Sequence, residues 1–105
     1  MLKSLNFKKQ GDTYISDPVQ LTSDAGLHLE FSHSPAPSDI RLSQSMTGGG
    51  GYVCFKEESC YLGDSYDIAI TGVISGMFMR VCCSKKPISC QILVSDESFN
   101  QSGKA

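Results

Sequence analysis

The stretch Leu27-His28-Leu29-Glu30-Phe31-Ser32 decides the fold class. Three large apolar side chains alternate with three polar ones. In a strand, successive side chains point to opposite faces, so Leu27, Leu29 and Phe31 share one face and His28, Glu30 and Ser32 the other. That pattern predicts a half-buried β-strand with one side toward a core and one toward water.

The same period recurs in both directions. Toward the N-terminus lie Val19 and Leu21, then Tyr14-Ile15, then Leu5 and Phe7. Toward the C-terminus, Ile40 and Leu42 alternate with Asp39, Arg41 and Ser43. Val53 and Phe55 follow in a short strand from Tyr52 to Lys56. Ile68 and Ile70 alternate within 66–71. A strong strand is predicted over 76–83, and Ile92 and Val94 finish the series. No run shows apolar positions at helical spacing, and Gly and Ser recur too often for long helices.

Turn chemistry separates these runs. The breaks include Gln10-Gly11-Asp12, Ser23-Asp24-Ala25-Gly26, Ser34-Pro35-Ala36-Pro37-Ser38, the glycine run from Thr47 to Gly51, Gly63-Asp64 and Gly72 to Gly76. Ser84-Lys85-Lys86-Pro87 is read as the turn of a last hairpin. Breaks spaced by roughly eight to twelve residues are those of a sandwich or barrel. Short connections favour antiparallel pairing. The expectation is an all-β, antiparallel β-sandwich of about seven or eight short strands, Ig-like or jelly-roll in style. A chain of 105 residues fits one domain, with 99–105 as a polar tail.

Composition narrows the partners. Nine Lys and Arg against eleven Asp and Glu leave a net charge of −2, with no long-range attraction for nucleic acid or anionic lipid. Lys8-Lys9 and Lys85-Lys86 are the basic doublets, read as edge or loop solubility. No window approaches a membrane span, and the N-terminus has no signal-peptide core. Cytoplasmic synthesis without a signal peptide is expected.

The five cysteines are Cys54, Cys60, Cys82, Cys83 and Cys90. An odd count with a vicinal pair argues against a closed disulfide framework. Five residues separate Cys54 from Cys60, and six separate Cys83 from Cys90, which suits zinc poorly. They read as reduced, core-filling thiols, with a Cys82 or Cys83 to Cys90 bridge as the alternative in an exported protein.

His28 and Glu30 share a strand face and offer an acid–base or metal pair, but nothing else in the sequence is visibly recruited to them. No nucleophile elbow is present. The glycine run lacks the Gly-Lys-Ser/Thr of a P-loop, and is read as a loop that is flexible or lets another backbone come close. Two binding surfaces remain. One comprises Tyr52, Tyr61 and Tyr66 at strand ends, near Glu57, Glu58, Asp64 and Asp67, a set suited to proteins or sugars. The other is Met77, Met79 and Val81: if Phe78 faces the core, these three form an apolar outer stripe that meets another subunit or lies beneath a second layer. The expected function is a non-catalytic structural or interaction module, needing no cofactor or metal, that works as a homo-oligomer or as a subunit of a larger assembly such as a virion or surface appendage. The alternative is a carbohydrate-binding module using the tyrosines.

Overall fold

The computed structural model describes residues 2–32, 37–60 and 65–94. These form a β-sandwich of ten strands in two packed sheets, with every ladder antiparallel. The strands are β1 (Leu2–Ser4), β2 (Phe7–Gln10), β3 (Thr13–Ser16), β4 (Val19–Gln20), β5 (Ala25–Glu30), β6 (Ser38–Ser45), β7 (Val53–Cys60), β8 (Ser65–Ile70), β9 (Phe78–Cys83) and β10 (Ser89–Val94). One sheet has the order β1-β10-β5-β8. The other has the order β2-β3-β9-β6-β7, and β4 also pairs with β9.

The apolar parity of β5 sets the layer. Leu27 and Leu29 are buried, as is Phe31 just beyond the strand, while His28 and Glu30 stand on the outside. Ile68 and Ile70 of β8 and Cys90 and Ile92 of β10 complete the inner face of this sheet. From the other sheet Ile40, Leu42, Met79, Val81 and Cys83 close over them. Burying each large aliphatic side chain contributes about 1.5–3 kcal/mol, so this shared interior is the main source of stability.

There are more strands than expected because the first apolar segment divides. The chain leaves the four-stranded sheet after β1, buries Leu5 between the layers, and enters the six-stranded sheet as β2. Pro18 breaks the next segment into β3 and β4, which lie end to end along β9. Pro18 has no N–H to offer the ladder, and beside the break the Val81 N–H donates instead to Ser16 Oγ at 2.8 Å.

Two expectations are corrected. Strands β9 and β10 are not a hairpin: they belong to different sheets, and residues 84–88 carry the chain from one layer to the other. The strand over 76–83 alternates as expected but with the opposite sense. Met77, Met79 and Val81 point into the core, at 3%, 0% and 0% exposure. Phe78, Arg80 and Cys82 face outward, so there is no outer methionine stripe. Arg80 shares parity with Phe78, and the outward sense keeps its charge out of the apolar core and against the Tyr52 ring, with its Nε buried and unbonded.

Candidate functional site

The outer face of the four-stranded sheet is built in three cross-strand rows, fixed by register. The first row is Ser89–Glu30–Ser65, the second Ser4–Gln91–His28–Asp67, and the third Leu2–Leu93–Gly26–Ala69. Each row gathers residues distant in sequence, because β1, β10, β5 and β8 come from different parts of the chain.

The first two rows are polar and mutually bonded. Ser89 Oγ donates to Glu30 Oε2 at 2.9 Å, and Ser65 Oγ donates to Glu30 Oε1 at 3.3 Å. His28 Nδ1 lies 2.6 Å from Asp67 Oδ1, and its Nε2 is 3.9 Å from Glu30 Oε2. The imidazole thus sits between two carboxylates. Both serine hydroxyls are committed to Glu30 rather than to the ring, so neither is poised as a nucleophile with His28 as its base. Among the described residues, no three His, Cys, Asp or Glu side chains converge to hold a metal ion.

The third row is apolar and hollow. Gly26 has no side chain and Ala69 only a methyl, while Leu2 and Leu93 rise beside them at 58% and 57% exposure. A Cβ placed on Gly26 would meet no atom within 4 Å. The result is an open depression of about 600 Å³, floored by Gly26 and Ala69, walled by the leucines and rimmed by His28 and Asp67. That is within the size range of ligand and anchor-residue pockets, about 300–1,000 Å³. No Lys or Arg stands in the three rows, so the charge beside the depression is acidic.

The tyrosines do not come together. Tyr66 lies on β8 and packs against the core from the four-stranded sheet. Tyr52 precedes β7 of the other sheet, where the Arg80 guanidinium carbon lies 4.1 Å from its ring centroid. Its hydroxyl donates to the Gly48 carbonyl at 3.4 Å. Tyr61 lies outside the described residues, as do His33, Asp64 and the 99–105 tail. Around Tyr52 the glycine run permits a close approach, but to a side-chain ring rather than to the other backbone expected. Gly48 has φ of 76° and crosses the Phe78 ring so closely that a Cβ would come within 2.9 Å of it. Ser45 Oγ ties this loop by donating to the Gly50 carbonyl at 2.7 Å.

None of the five cysteines is in a disulfide. Burial pushes Cys90 up to about 12 and holds Cys83 higher still, with Cys90 and Cys60 nearby adding to the shift on Cys83. Burial also raises Cys82, an effect that Arg80 and Arg41 partly oppose. Raised thiols are poor nucleophiles and poor metal ligands at neutral pH, which agrees with a packing role for the buried Cys83 and Cys90; Cys54 is exposed and Cys82 half-buried on the outer face, so the core-filling expectation does not extend to them.

Of the outer face, sequence reasoning found only His28 and Glu30. Asp67 was visible as one of several acids near the tyrosines, but its partner lies 39 residues away. Gly26 read as a turn residue, and Ala69 and Leu93 carried no signal. No helix among the described residues is long and apolar enough to cross a membrane. The chain matches no protein-family model and no curated protein.

Proposed function

We propose that this protein is a non-catalytic assembly subunit that docks through the outer face of its four-stranded sheet. The observation that carries this reading is the hollow apolar row of Leu2, Leu93, Gly26 and Ala69 beside a fixed acidic rim. An exposed apolar concavity with charged groups at its edge is the form of a protein docking site: the apolar part supplies affinity and the charges set orientation. The serine and histidine bonds around Glu30 and Asp67 fix those carboxylates in place, which reduces the ordering cost of binding. A virion or surface-appendage setting suits a small module of this kind.

Light scattering during gel filtration tests the reading. The wild-type chain should form species above monomer in a concentration-dependent way, and Leu93→Asp should return it to monomer with its circular dichroism unchanged. A wild type that stays monomeric at high concentration, or a Leu93→Asp variant that assembles as well as wild type, overturns it.

A further inference from the structure

We infer that the depression receives the Lys85-Lys86-Pro87-Ile88 loop of a second copy. The inference rests on the docking role proposed above and names its occupant.

The loop presents what the depression lacks. Ile88 is 69% exposed, the highest value among the large apolar side chains described. Lys85 and Lys86 beside it are exposed as well. An apolar anchor flanked by two ammonium groups complements an apolar hollow rimmed by Asp67, with Glu30 in the row beyond.

The loop is also held in shape. The Ile88 N–H donates to the Glu30 carbonyl at 2.7 Å. At the other end, the Ser84 N–H donates to the Asp39 carbonyl at 3.1 Å, and the Lys85 N–H donates to Ser38 Oγ at 3.2 Å. Pro87 is buried between these anchors. An exposed isoleucine on a loop tied at both ends loses little freedom on docking.

Geometry decides that the contact is between copies. Ile88 precedes the first residue of β10, whereas the hollow lies at Leu93 near its far end. At about 3.3 Å per residue the two are roughly 17 Å apart along the strand. The loop therefore cannot fill its own chain's hollow. Used reciprocally across a two-fold axis, loop and hollow close a dimer with two such contacts; used head to tail, they build a ring or an open filament.

Mixing variants tests this. Ile88→Asp removes the plug and keeps the socket, and Leu93→Asp removes the socket and keeps the plug. Gly26→Leu is a second socket variant that fills the hollow without adding charge. Each alone should be monomeric, with association at least about thirtyfold weaker than wild type, the effect of losing a central anchor residue. An equimolar mixture of Ile88→Asp with either socket variant should form a one-to-one dimer that grows no further. Raising the ionic strength should weaken that dimer. If Ile88→Asp assembles like wild type while Leu93→Asp does not, the docking face stands and the loop is not its occupant. A mixture that stays monomeric also overturns the loop as the occupant. A wild type that never associates removes both readings.

Discussion

At the scale of single residues, the interior is chemically quiet, and this has a measurable result. Cys90 is buried against apolar neighbours and its thiol is raised to about 12, against 9.0 in the unfolded chain. Burial favours the neutral form, so the folded state keeps a proton that the unfolded state releases. The stabilisation is complete below 9.0 and is lost as pH rises from there toward about 12. Each such thiol adds a slope of about 1.4 kcal/mol per pH unit in that window. Urea titrations at a series of alkaline pH values should show Cys90→Ala losing stability less steeply than wild type. Equal slopes would mean that the thiol is not desolvated in the folded protein.

At the scale of elements, the alternation was legible and the assignment of strands to sheets was not. Leu27, Leu29 and Phe31 fall on one side as their spacing requires, because a half-buried strand writes its inner face into every second residue. A period of two is the same in either layer, however, so nothing local told β9 and β10 apart from a hairpin. Nothing local placed Gly26, Ala69 and Leu93 in one row either, since that row depends on the registers of three pairings. The sense of β9 could have been read from Arg80, whose charge outweighs the small hydrophobic difference between Phe78 and its methionine neighbours. Pro18 is informative in the same way. It forbids a continuous strand, and Ser16 supplies the acceptor for the Val81 amide. Removing that hydroxyl leaves a buried donor unsatisfied. Ser16→Ala should therefore destabilise the fold by about 1–3 kcal/mol in chemical denaturation. A loss near zero would show that water or a shifted backbone replaces the bond.

At the scale of the whole molecule, connections repeatedly cross between layers. The chain changes sheet between β1 and β2, between β4 and β5, between β5 and β6, between β7 and β8, between β8 and β9, and between β9 and β10. Each sheet is thus completed only when distant segments meet, and those loops must close before their contacts are gained. Stopped-flow refolding should fall in the millisecond-to-second range typical of sandwiches with non-local pairing. A microsecond phase carrying the full amplitude would contradict this topology.

Strand β5 is paired along its entire length on both sides, Ala25–Glu30 against β10 and against β8. Ladder bonds of antiparallel strands run perpendicular to the strand axis. Tension applied along β5 would load both ladders in shear, with all rungs sharing the force, instead of peeling them one by one. A pull that draws β5 along its axis against β10 and β8 therefore meets the mechanically strongest direction of this layer.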